Sequence, residues 1–212
     1  MTAAFSSALY WEARYRAGGT SGAGSRGRLL ARKAALVNAL IADNGIASVI
    51  DLGCGDGELA ALLDVPEYTG VDVSAATLAT CAARFAGRPT WRFLPEARAR
   101  EAAMADLGLS LDVIFHLTED DGFAAHVALL FASARRLIAI QSSNVDLSWP
   151  AAHVRHRRFT DHVAATEPGW RLIAHLPNPY PFDAARPDET SFADMFVYAR
   201  AGGGCTVRLP PF

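Results

Sequence analysis

The strongest constraint on this chain is a turn. Val49-Ile-Asp-Leu52 is a short β-branched and apolar run that ends in Gly53-Cys-Gly-Asp-Gly57. A second such run, Tyr68-Thr-Gly-Val-Asp72, begins ten positions after Glu58 and ends in a carboxylate. Glycines in alternation allow a tight strand-to-helix turn and leave bare backbone against which a ligand can press. The acid closing the second run can accept two hydrogen bonds from a ribose diol. Strand, glycine turn, helix and acid-ended strand together describe the first βαβ unit of a nucleoside-binding sheet.

The rest of the chain continues the alternation. Leu30, Ala34, Val37 and Ile41 recur at helical spacing, with Leu36 and Leu40 widening the stripe, which predicts a helix over 29–44. Strands are expected at 48–52, 68–73, 90–94, 107–114, 137–140, 170–176 and 192–198. Helices are expected through Leu59 and Leu63, over 75–85 with Ser74 as cap, over 95–106 at a sheet edge, and over 121–134. A further short helix has Thr160 as its expected cap. This order predicts an α/β fold: a single Rossmann-like domain whose mostly parallel seven-stranded sheet carries helices on both faces. By composition, residues 1–28 form an aromatic and Gly/Ser-rich lid, 29–200 the domain and 201–212 a tail.

At 212 residues the chain can bury a core as one domain. A formal charge of −2 argues against a nucleic-acid binder, which carries a basic excess. Cys54, Cys81 and Cys205 lie far apart with neither metal nor redox spacing, as expected of a reducing cytoplasm. Met1-Thr-Ala-Ala-Phe5 lacks the charged start and long apolar run of a secretory signal, and no stretch nears the ~18 apolar residues that span a bilayer. The expectation is therefore a cytoplasmic protein with a small-molecule partner, no nucleic acid and no membrane; nothing in the sequence speaks to its oligomeric state. Lys33 is the only lysine, which we read as the codon bias of a GC-rich gene.

The glycines at 53, 55 and 57 alternate, Asp51 precedes them, and Asp72 follows Gly55 by seventeen residues. That spacing differs from the dinucleotide fingerprint and disfavours a nicotinamide oxidoreductase. It resembles motif I and the following acidic loop of class I S-adenosylmethionine-dependent methyltransferases. The resemblance runs from Tyr10 to about Tyr198. It implies that Gly53, Cys54 and Gly55 hold the methionine portion of S-adenosylmethionine, and that Asp72 and Val73 hold the ribose. Ser110-Leu-Asp-Val-Ile-Phe-His116 stands where the family carries residues that meet the sulfonium region and the acceptor, which implies Asp112 for the cofactor and His116 for catalysis. Tyr10-Trp-Glu-Ala-Arg-Tyr15 is similar to a segment that folds over the cofactor in small-molecule methyltransferases. There Trp11 would face the sulfonium, Arg14 would pair the carboxylate, and Tyr15 would meet the substrate.

His153-Val-Arg-His156-Arg-Arg158 follows the fifth expected strand, where the family places acceptor-binding insertions. Arg155 and Arg157 suit a carboxylate or phosphate, since guanidinium forks bind both bidentately. Only Asp146 and Asp161 flank them in sequence. His153 and His156 come after His116 as candidate proton acceptors. Each feature also has a plainer reading: His116 can pack and cap a loop, the N-terminal segment can be an amphipathic helix covering the sheet, and the basic stretch can be solvated surface. A metal at His153, His156 and Asp161 has weak spacing, and none is expected. The resemblance implies methyl transfer to an O or N atom of a small, anionic metabolite in natural-product or polysaccharide tailoring. The alternative is a catalytically silent S-adenosylmethionine-binding protein of the same fold.

Overall fold

The computed structural model describes residues 5–207, so residues 1–4 of the expected lid and 208–212 of the expected tail lie outside the described residues. Helix α1 (Ser7–Arg16) starts where the Ser6 hydroxyl accepts from the Leu9 N–H. Helix α2 (Gly27–Asn44) buries the expected apolar stripe and ends at Gly45 in the left-handed region. Strand β1 (Ser48–Leu52) then enters the glycine turn, and a single 3-10 turn (Ala60–Leu62) leads to β2 (Glu67–Asp72). Ser74 caps α3 (Ala75–Arg84) by accepting from Thr77 N–H, and β3 (Trp91–Pro95) follows.

The helix expected over 95–106 is only a 3-10 run, Glu96–Glu101. Of its residues only Ala99 is buried, so no apolar stripe anchors a longer helix. Next come β4 (Ala105–Leu111), α4 (Asp120–Ser133), β5 (Ala134–Ser142), α5 (Phe159–Thr166), β6 (Trp170–Leu176) and β7 (Asp194–Arg200). Thr160 does not cap α5: Arg158 holds the cap position without a side-chain bond, and the Thr160 hydroxyl pairs with Asn144 instead. The last strand starts two residues later than expected, because Phe192 leaves the sheet to pack its ring against His156 and Phe115.

The seven strands form one sheet in the order β3-β2-β1-β4-β5-β7-β6. All neighbours run parallel except β7, which pairs antiparallel with β5 and β6. Alternation along the strands splits the core in two: Val49, Leu107, Leu109 and Leu137 face the α2 side, while Ile50, Leu52, Ile138 and Ile140 face α4 and α5. After β1 the chain winds outward through β2 and β3, then returns to place β4 on the other side of β1. That reversal opens a crevice beyond the carboxyl ends of β1 and β4, where open α/β sheets take ligands.

Candidate functional site

A cavity of about 390 Å³ occupies that crevice, within the size range of small-molecule sites. Its floor is the glycine turn. Gly53 and Cys54 N–H both donate to Val71 carbonyl, at 2.7 and 3.0 Å, which ties the turn to β2. Gly53 (φ 90°) and Gly55 (φ 55°) hold backbone conformations that L side chains rarely adopt. A Cβ on Gly53 would also drive into Val113, and one on Gly55 into Ser21. Asp72 ends β2 at the cavity edge. One of its carboxylate oxygens accepts from Gly55 N–H at 3.0 Å, the other from Ser74 N–H at 2.9 Å. Burial raises the Asp72 pKa against these backbone donors, which pull it down. Each oxygen keeps a lone pair for a further donor.

The α2 side supplies a buried cation. Lys33 is 2% exposed, and its Nζ lies 2.6 Å from Asp112 Oδ2. Among the described residues, Asp112 is the only non-glycine with positive φ (61°), held by its N–H to Gln141 carbonyl at 2.8 Å and by the Gln141 side chain. Asp51, beneath, is pushed up to about 6 by burial, opposed by the Tyr68 hydroxyl at 2.8 Å and by Lys33. Among the described residues lining the cavity, Lys33 is the sole lysine or arginine. Acids are more numerous, but Asp56 is paired with Arg26 at 2.7 Å and Glu58 with Arg84 at 2.8 Å. Glu96, just past β3, is pushed up by burial.

Helix α1 and the segment after it form the roof. The Ser7 N–H and hydroxyl donate to the Glu119 carboxylate at 2.9 and 2.6 Å, fastening α1 to the start of α4. Ser21 N–H donates to Asp56, and Ser21 Oγ accepts from Asp56 N–H, fastening the segment to the glycine turn. Trp11 and Tyr15 line the cavity from above, the Tyr15 hydroxyl bonded to Ser21 Oγ at 2.8 Å. His116 closes the β4 side with Trp11 edge-on to it, ring centroids 4.8 Å apart. Its Nδ1 lies 2.9 Å from the His153 carbonyl. A carbonyl only accepts, so Nδ1 carries the proton and Nε2 is left as an acceptor. Burial lowers the His116 pKa to about 4, so the ring is neutral at pH 7.

The fold gathers Trp11, Tyr15, Gly53, Cys54, Gly55, Asp72, Val73, Asp112 and His116 around one cavity. It does not bring the other expected residues there. Arg14 is not among the described lining residues, and its Nε donates to Thr20 carbonyl at 2.7 Å. The His153 ring stacks on Tyr10, centroids 4.8 Å apart, and on the outer side of His116, centroids 5.5 Å apart; it does not line the cavity itself, and its carbonyl bonds His116. His156 is buried against Trp149 and Phe192, with Nδ1 2.7 Å from Ser143 Oγ, and lines a separate surface hollow. The expectation that nothing neutralises the arginines fails. Arg155 and Arg157 both pair with Asp120, at 3.0 and 3.2 Å, and donate to the carbonyls of Thr118 and Leu117. Asp120 lies 35 and 37 residues from them, so sequence proximity could not reveal it.

Several cavity residues were not expected: Ser7, Ser21, Lys33, Glu96, Glu119 and His126. Lys33 had a readable signal. It sits three residues after Leu30 and four before Val37, so helical spacing puts a lone lysine on the apolar stripe. His126, buried beneath the site with Nε2 2.8 Å from Ser110 Oγ, is likewise pushed down to about 4 by burial. No helix among the described residues is long and apolar enough to cross a membrane.

Residues 50–149 match a family model described as a methyltransferase domain. No curated protein matches the chain by sequence. Among solved structures, it is similar to the N-methyltransferase NodS from Bradyrhizobium japonicum WM9 in complex with S-adenosyl-L-homocysteine. That match has 10% identity and a TM-score of 0.66, over 92% of this chain and 98% of that one. It is also similar to magnesium protoporphyrin IX methyltransferase from Synechocystis PCC 6803 with bound SAM. Here identity is 17% and the TM-score 0.62, over 95% of this chain and 100% of that one. At such identities the likeness is one of fold.

Proposed function

We propose that the chain, whose residues 50–149 match a methyltransferase-domain model, is a class I S-adenosylmethionine-dependent methyltransferase that moves a methyl group from S-adenosylmethionine to an O or N atom of a small acceptor. The observation carrying this reading is one cavity that joins a bare glycine turn, a buried acid with spare acceptor capacity, a buried cation and a neutral histidine. These residues fit the cofactor's chemistry part by part. Asp72 would accept from the ribose hydroxyls. Glu96 would accept from the adenine amino group. Lys33 would face the carboxylate and Asp112 the ammonium of the amino-acid end, in the role first expected of Arg14. Bound there, S-adenosylmethionine supplies an electrophilic methyl on a positively charged sulfur.

The chain's own residues do the rest. Trp11, held on α1 by the Ser7–Glu119 fastening, shields the cavity from water and presents an aromatic face to positive charge. His116, with Nδ1–H locked on the His153 carbonyl, offers Nε2 to take a proton from the acceptor's hydroxyl or amine. His153 is then a positioning residue. The setting in natural-product or polysaccharide tailoring rests on the family resemblance. An anionic acceptor rested on Arg155 and Arg157; with both already held by Asp120, that requirement is dropped.

Titration calorimetry with S-adenosylhomocysteine tests the reading. Wild type binds, and Asp72→Ala weakens binding by about a hundredfold, since two charge-assisted bonds and the anchor for Gly55 N–H go together. Unchanged affinity in that variant removes Asp72 from the site. Binding with no methyl transfer across a panel of labelled acceptor reactions would favour the catalytically silent alternative.

A further inference from the structure

Cys54 and Cys81 are distant in sequence, yet the fold brings them together under the glycine turn. Cys54 is the second residue of that turn, and Cys81 lies on the buried face of α3. Both sulfurs reach one carbonyl oxygen, that of Gly55, at 3.9 and 3.4 Å. Glycine makes the approach possible on both sides. A Cβ on Gly70 would stand 3.0 Å from Cys54 Sγ, and one on Gly57 3.0 Å from Cys81 Sγ. Cys81 is sealed from solvent, whereas Cys54 lines the cavity. A small oxidant therefore has one route to the pair, through the space assigned above to the cofactor. Cys205, near the end of the described residues, is partly buried against the same apolar core.

We propose that Cys54 and Cys81 form a modification site for two-electron oxidants of the peroxide class, and that their disulfide and the nucleoside ligand exclude each other. In the first step a peroxide oxygen bonds to Cys54 sulfur, the O–O bond breaks, and one water leaves, giving a sulfenic acid. In the second, Cys81 sulfur attacks Cys54 sulfur; the S–S bond forms, the S–O bond breaks, and hydroxide leaves with the Cys81 proton as a second water. Two thiols are oxidised and one peroxide is reduced. The influence of the two thiols on each other holds Cys81 below its ordinary pKa, which suits it to the attacking role, and pushes Cys54 up, which makes the first step the slow one. Two sulfurs that meet at one carbonyl oxygen must close to about 2.05 Å to bond, so the bond draws the turn toward α3. Gly55, whose N–H is held by Asp72, moves with it.

The dithiol goes beyond the methyltransferase reading; only the exclusion of ligand rests on it. The test treats the full chain with hydrogen peroxide and follows intact mass, peptide mapping and calorimetry with S-adenosylhomocysteine. The expected result is loss of two hydrogens, a Cys54–Cys81 cross-linked peptide, and roughly tenfold or greater weakening of ligand binding, restored by dithiothreitol. Saturation with S-adenosylhomocysteine beforehand slows the cross-link. Cys205→Ser still cross-links, and Cys54→Ser does not. Oxidation confined to Cys205, or a sulfinic acid at Cys54 with Cys81 unmodified, overturns the dithiol site. A cross-linked protein that binds ligand normally overturns the exclusion. Reduced protein that never binds S-adenosylhomocysteine sinks the cofactor reading instead, while the cross-link result stands by itself.

Discussion

The glycine turn and the basic stretch after β5 are both dense in chemistry, yet the fold treats them in opposite ways. Around the turn, polar groups keep capacity to spare. Each Asp72 oxygen takes one backbone N–H, and His116 has one nitrogen engaged and one free. In the basic stretch most of that capacity is spent on other parts of the protein, although Arg157 Nε and His156 Nε2 are buried without a hydrogen-bond partner. Arg157 reaches Asp120, Leu117 carbonyl and Thr118 carbonyl while its guanidinium lies over Phe123, and His156 is wedged between aromatic rings. Arginines and histidines counted along the chain measure charge that is present; a ligand needs charge left over. One region keeps its polar groups facing a cavity, and the other ties the loop before α4 to the residues ahead of α5.

Acid should separate the two regions most strongly. Burial lowers His116 and His126 from 6.5 to about 4 in the folded state. Both histidines are neutral when folded and protonate more readily when unfolded. Their contribution is therefore complete above pH 6.5 and is lost as pH falls toward 4, at about 3 kcal/mol each. Asp51, pushed up to about 6, gains stability over the same fall in pH and offsets part of this loss. The test therefore compares denaturant melts of wild type and His126→Phe at pH 7 and pH 4.5, and the variant should lose less; an identical pH slope in that variant would break the assignment. Catalysis resting on neutral His116 should be flat above about pH 5 for the same reason.

Lys33→Met comes next. Removing one partner of a buried pair leaves Asp112 uncompensated, at about 3–5 kcal/mol of stability. Asp112→Asn in the same chain should recover part of that. Both variants should bind S-adenosylhomocysteine more weakly while holding 5′-methylthioadenosine, which lacks the amino-acid end, nearly as well as wild type. Equal losses for the two ligands would take Lys33 out of the proposed site.

His116→Ala should lower kcat by about a hundredfold with cofactor affinity little changed. A kcat within a factor of about three of wild type would leave it a packing residue. The basic stretch should respond least. Arg157→Ala should cost stability, about 1–2 kcal/mol, through the freed carbonyls and lost packing, and leave the acceptor KM unchanged. Arg155→Ala, half-exposed, should cost under about 0.5 kcal/mol. A severalfold rise in acceptor KM in either variant would restore the anion-binding reading and erase the contrast between the regions.

Much of this protein is written locally. A residue repeat of two or of 3.6, a glycine at a turn and a serine before a helix act through neighbours a few positions away. For that reason the seven strands, α2, α3 and α4, the glycine turn and the acid at the end of β2 were all legible from the sequence. The turn and acid also pointed to the cavity beyond the carboxyl ends of β1 and β4, which they line, because a backbone bend and the strand beside it are one local unit. Tertiary structure alone decided which polar groups were already taken. Lys33 meets Asp112 across 79 residues, Arg157 meets Asp120 across 37, and Ser7 meets Glu119 across 112. A hydrogen bond or ion pair saturates within about 3 Å of its partner. No pattern along the chain records which distant residue will arrive there. Composition explained the lone lysine as a codon habit, and packing made it the cavity's buried cation.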